Sequence, residues 1–127
     1  MPTKTPGRIK ALIIDDETDI CYLLSSILRQ RNVQATFAGS LTEANKILDR
    51  EAAPPIIFLD NHLPDGLGMN YVSKLKKNYP LTKVVMITAH DNVSDRENAL
   101  LEGVDFFIGK PFSRESVYKA LDILTGQ

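Results

Sequence analysis

Along the chain, short apolar runs alternate with stretches in which apolar residues recur every three or four positions. Residues 10–15 (KALIID), 56–60 (IIFLD) and 83–88 (KVVMIT) are continuously apolar until a polar residue closes them, the pattern of strands buried on both faces. Residues 33–38 (VQATFA) alternate, as in a strand covered on one side, and residues 104–108 (VDFFI) form a fifth strand interrupted by Asp105. Helical spacing fills the gaps: Ile20, Leu23, Leu24, Ile27 and Leu28, with Cys21 bordering the stripe as a packing residue; then Leu41, Ala44, Ile47 and Leu48; then Tyr71, Val72 and Leu75, ending near 78–80. A fourth helix, from about 92 to 102, has a thin apolar face of Val93, Ala99, Leu100 and Leu101, and a fifth carries Val117, Ala120, Leu121 and Leu124. Gly39-Ser40, Pro54-Pro55, Gly66, Gly68 and Gly109-Lys110-Pro111 punctuate the elements; Gly103 ends the fourth helix and Ser113 caps the fifth.

Five successive strand–helix units predict an α/β fold with one parallel sheet and helices on both faces. The three continuously apolar strands belong inside it, and the alternating second strand and the Asp-bearing fifth belong at its edges. With right-handed crossovers the simplest order is 2-1-3-4-5, a flavodoxin-like arrangement whose topological switch point lies between strands one and three.

The chain of 127 residues suits one domain, expected over residues 9–125 after a loose tail at 1–8. A formal net charge of -1 gives no basic field for nucleic acid, and no apolar run approaches the ~20 residues that cross a bilayer. Cys21 is the single cysteine, which excludes an internal disulfide and fits a reducing cytoplasm.

The chemistry gathers at the strand ends. Strand one supplies Asp15-Asp16, strand three Asp60, strand four Thr88-Ala89 and strand five Lys110-Pro111, whereas strand two offers only Gly39-Ser40. Taken singly, Asp60 and Asp16 also read as caps, Thr88 as a strand former and Lys110 as a solvated lysine before a turn. Their common place at one edge of the sheet is what argues for a site. Three carboxylates in one crevice repel each other and call for a cation, and carboxylate oxygens with few other ligands suit Mg²⁺. A lysine and a hydroxyl beside them match phosphoryl oxygens, so the residues read as a Mg²⁺-assisted phosphoryl site with Asp60 as nucleophile, forming an acyl phosphate.

The motifs IIDDE, FLDNHLPDG, VVMITAH and FFIGKPF, in that order, resemble the receiver domain of two-component response regulators, and the likeness runs from about residue 9 to 124. It implies that Asp60 is the phosphoacceptor, served by a histidine kinase or histidine phosphotransfer protein. Asp15, Asp16 and Asp60 with the backbone carbonyl of His62 would hold Mg²⁺. Thr88 and the Ala89 amide would bind phosphoryl oxygens, Lys110 would pair with the phosphate, and the Lys110-Pro111 bond would be cis. Thr88 and Phe107 would form the switch, repositioned together to change the face of the fourth helix, fifth strand and fifth helix, a surface that could also make a homodimer. Phe107, where many members carry Tyr, is expected to favour an inward position; edge-strand packing alone is its plainer explanation. His62 and His90, two residues after Asp60 and Thr88, depart from common family choices. They read either as groups that tune acyl-phosphate lifetime or as solvated loop histidines.

The resemblance implies a signalling switch rather than an enzyme with free substrate, either standing alone or cut from a larger regulator whose output partner is not identified. A haloacid-dehalogenase-like phosphatase is the enzyme alternative, but it needs an acid where His62 stands. A flavodoxin-like cofactor binder would place a phosphate against Asp15-Asp16-Glu17, which would repel it. A phosphorylation-independent pseudo-receiver is the remaining alternative.

Overall fold

In the computed structural model, residues 8–89 and 93–125 are described; the expected tail up to Gly7 and the position of His90 lie outside them. Five strands, β1 (Ile9–Ile14), β2 (Val33–Ala38), β3 (Ile56–Asp60), β4 (Lys83–Thr88) and β5 (Phe106–Gly109), form one parallel sheet in the order β2-β1-β3-β4-β5. Helices α1 (Thr18–Arg29), α2 (Leu41–Arg50), α3 (Gly68–Asn78), α4 (Val93–Glu102) and α5 (Arg114–Thr125) connect or follow them. Alternation along each strand divides the core in two. Ala11, Ile13, Phe58, Val85, Ile87 and Ile108 face α1 and α5, and Leu12, Ile14, Ile57, Leu59, Val84 and Met86 face α2, α3 and α4.

The three strands with continuous apolar runs are the interior ones, as expected, because both of their faces are covered. Several details differ from the periodicity reading. Cys21 packs in the core as expected, but Leu23 is exposed, so the buried stripe of α1 is rotated towards Cys21, Leu24 and Leu28. On α4 only Ala99 is buried; Val93, Leu100 and Leu101 face solvent, with Leu101 85% exposed. The fifth strand begins at Phe106, not at 104. Asp105 stands just outside it, its backbone N–H donating to the Val84 carbonyl (2.9 Å) while its carboxylate accepts from the Val84 N–H (2.8 Å) and from Lys76 Nζ (2.9 Å).

Helix ends follow local chemistry. Ser40 Oγ accepts from the Glu43 N–H, and Ser113 and Ser116 exchange N–H to hydroxyl bonds at the start of α5. Gly103 takes φ +108° after α4, and the Val104 N–H reaches back to the Ala99 carbonyl (3.1 Å). Among the described residues, no helix is long and apolar enough to cross a membrane.

Candidate phosphoryl site

Strand register builds the site. Ile14 pairs with Leu59, so Asp15 comes level with Asp60; Asp60 pairs with Ile87, so Thr88 stands one residue beyond; Thr88 pairs with Gly109, so Lys110 follows at the same edge. Asp15 and Asp60 are 4% and 5% exposed, Thr88 is buried, and Asp16 and Ala89 are exposed. One carboxylate oxygen from each of Asp15, Asp16 and Asp60 lies within 4.8 Å of the other two. Lys110 Nζ reaches this cluster from β5, 2.9 Å from Asp15 Oδ2 and 3.6 Å from Asp60 Oδ1. The Lys110-Pro111 bond is cis.

The balance of charge is the site's main property. Burial, and then the charge of Asp15, push the Asp60 carboxyl up from 3.8 to about 6; Lys110 and the His62 backbone pull the other way without cancelling them. For Lys110, burial alone would favour loss of the proton, but its bonds to Glu17 and Asp15 and the charge of Asp60 outweigh it and raise its proton affinity. With Glu17 counted, the site holds four carboxylates, and the one ammonium reaches three of them, Asp15, Glu17 and Asp60. That donor set of hard oxygens, partly buried and under-neutralised, fits a small divalent cation such as Mg²⁺.

The loop after β3 holds Asp60 by short-range geometry. The Asn61 carbonyl accepts from the Gly68 N–H and Asn61 Oδ1 from the Met69 N–H, both at 2.8 Å, which ties the start of α3 to the residue after Asp60. Gly68 passes so close that a Cβ there would stand 2.3 Å from the Asp60 carbonyl oxygen. His62–Leu63 and Gly66–Leu67 pair as a small antiparallel ribbon, leaving the His62 side chain exposed. At its turn, the Asp65 carboxylate accepts from the Leu41 and Thr42 N–H groups (2.9 Å each) and the Thr42 hydroxyl (2.7 Å), tying the loop to the start of α2.

Phe107 shares the α4 side of the sheet with Thr88. It is half-buried rather than fully inward, and the Arg96 guanidinium lies 5.0 Å from its ring centroid. Sequence reasoning missed four contributors: Glu17, Asn61, Asp65 and Gly68. A turn was legible at Asp65 from its neighbours Pro64 and Gly66, but nothing in the sequence connects it to the start of α2, 24 residues away at Leu41.

The response regulator receiver domain family matches residues 11–122. Over 119 residues the chain is 37% identical to the response regulator protein PilR of Pseudomonas aeruginosa, covering 91% of this chain and 26% of PilR. It is 34% identical over 116 residues to the probable transcriptional regulatory protein TcrX of Mycobacterium tuberculosis, covering 91% of this chain and 49% of TcrX. The chain thus spans between about a quarter and a half of these relatives. Among solved structures, the beryllofluoride-activated NtrC4 receiver domain dimer superposes with a TM-score of 0.84 at 34% identity, over 91% of this chain and 94% of that one. A two-component response regulator from Clostridium difficile gives a TM-score of 0.87 at 26% identity, over 94% and 98%. With its sheet order, acidic cluster and converging lysine, the chain belongs to the response regulator receiver domain family.

Proposed function

We propose that Asp60 is a phosphoacceptor that takes a phosphoryl group from the phosphohistidine of a histidine kinase or histidine phosphotransfer protein. An Asp60 carboxylate oxygen attacks phosphorus, the P–N bond breaks, and the donor imidazole leaves with its electron pair and recovers a proton. A carboxyl group displaced to about 6 is still largely ionised at neutral pH, as a nucleophile must be. Asp15, Asp16 and Asp60, with the His62 backbone carbonyl, would hold Mg²⁺, which when bound offsets charge on the phosphoryl oxygens. Thr88, the Ala89 amide and Lys110 receive those oxygens. The single observation that carries this reading is the reach of Lys110 across the sheet edge to both Asp15 and Asp60.

The output follows from Phe107 and its neighbours. Movement of Thr88 towards the phosphoryl group frees space on the α4 side of the sheet, and Phe107, now held partly outward against Arg96, turns into it. The α4–β5–α5 face then changes its affinity for an output partner or a second copy of the chain; α4 itself exposes Val93, Leu100 and Leu101. Exposed His62 flanks the acceptor and would tune phosphate lifetime, a role also assigned to His90; His62→Ala and His90→Ala with unchanged lifetimes would reject it.

The test is intact-mass detection of phosphorylation by a small-molecule phosphodonor. A single added phosphoryl group, dependent on Mg²⁺ and absent in a folded Asp60→Asn variant, supports the reading. Equal phosphorylation of that variant, or none in the wild type with Mg²⁺, overturns it.

A further inference from the structure

Three carboxylates compete for Lys110, and they are not equivalent. Glu17 Oε1 is nearest Nζ at 2.7 Å, Asp15 Oδ2 follows at 2.9 Å, and Asp60 Oδ1 stands at 3.6 Å, beyond a hydrogen bond. The side chain of Asp15 is buried and its Oδ1 also accepts the Glu17 N–H (2.8 Å), so it is fixed from two directions. The Glu17 carboxylate is 58% exposed and can turn into water with its charge hydrated. Glu17 stands at the N-cap position of α1 but makes no side-chain capping bond, so its carboxylate has no duty to the helix.

We propose that Glu17 is a positioning residue that engages Lys110 in the resting state and gives it up when a phosphoryl group arrives on Asp60. The inference rests on the phosphoacceptor reading and deepens it. An ammonium has three N–H donors, and here two are committed to carboxylates other than the acceptor. Nζ stands 3.6 Å from Asp60 Oδ1, so bonding its remaining donor to a phosphoryl oxygen on Asp60 draws the ammonium away from its other two partners, and of those only Glu17 can let go without stranding a buried charge. Each phosphorylation exchanges one lysine–carboxylate bond for a lysine–phosphoryl bond. Glu17 thus favours the unphosphorylated state, by an amount set by an exposed ion pair.

The test measures affinity for beryllofluoride, a phosphoryl mimic, at saturating Mg²⁺ in wild type, Glu17→Gln and Asp19→Asn. Asp19 is an exposed acid in the first turn of α1, and its substitution changes net charge equally without touching Lys110. Glu17→Gln should bind beryllofluoride about 1.4- to 5-fold more tightly, the range for an exposed ion pair. Asp19→Asn should match the wild type. Release of phosphate from the phosphorylated protein should be unchanged in Glu17→Gln, because the contact is already broken in that state. An equal gain in both variants would assign the effect to the general field and overturn the proposal, as would no gain in either. If the wild type itself fails to bind beryllofluoride, the phosphoacceptor reading fails first; normal wild-type binding with an unaltered Glu17→Gln rejects the Glu17 role alone.

Discussion

Replacing Asp60 by Asn should stabilise the protein when Mg²⁺ is absent, a direction opposite to most substitutions at a buried position. The wild-type carboxylate is ionised beside Asp15 at neutral pH and almost without water. The rise from 3.8 to about 6 corresponds to about 3 kcal/mol against the ionised form, at about 1.36 kcal/mol per pKa unit. Asn removes that penalty but also removes an attraction for Lys110 and leaves amide protons to place, so a net gain of about 1–2 kcal/mol is expected. In a chain of 127 residues that is a rise in Tm of about 4–8 °C. A carboxyl whose folded pKa is raised is fully favourable to folding below its unfolded value and loses that contribution as pH rises through the folded one. The difference between variant and wild type should therefore be greatest above pH 7, shrink between about 6 and 3.8, and be small at pH 4. Urea denaturation of both proteins in chelator across that window reads it directly. A variant no more stable than wild type at pH 7.5, or a gap independent of pH, would refute the electrostatic account of the site.

Gly68→Ala should cost about 1–3 kcal/mol, the range for forcing extra volume into a packed site, because its Cβ meets the Asp60 carbonyl oxygen at 2.3 Å and backbone must move. The urea midpoint checks it, and a neutral result would mean the loop after β3 is looser than described. Asp105→Ala should cost about 1–3 kcal/mol by leaving the Val84 N–H and Lys76 without their shared acceptor. Its specific mark is faster hydrogen exchange at the Val84 amide. Cys21 should resist a thiol reagent at pH 8 until the protein unfolds, since burial, then Asp15, push its thiol up to about 11. Rapid stoichiometric labelling of the folded protein would contradict its place in the core.

The parts of the fold legible in the sequence are those whose cause is local or repeats along the chain. Strands β1, β3 and β4 announce themselves because burial on both faces leaves no room for alternation, and their relative placement then puts Asp15, Asp16 and Asp60 in one crevice. β5 was harder to delimit: Val104 is buried just after α4 and before the strand, and Asp105 uses its side chain where a strand residue would use only backbone. The face of α4 could not be read, because Leu100 and Leu101 look like core residues by type yet only Ala99 is turned inward. Leu23 is exposed for the same reason, while Cys21 packs in the core as expected: helical spacing fixes which residues share a face, but a helix with apolar residues on two faces does not say which is buried. Least legible were contacts between distant segments. The pairing of Glu17 with Lys110 joins residues 93 apart, and the hold of Asp65 on the start of α2 depends on how two loops meet.

The most direct test of the central claim is to locate the phosphoryl group chemically. The wild-type protein is treated with a small phosphodonor and Mg²⁺, then with borohydride, which reduces an aspartyl phosphate to homoserine, and the peptides are mapped by mass. The account predicts conversion at Asp60 alone, only when Mg²⁺ is present. Conversion at Asp15 or Asp16, or phosphate that survives borohydride on another residue, would contradict it.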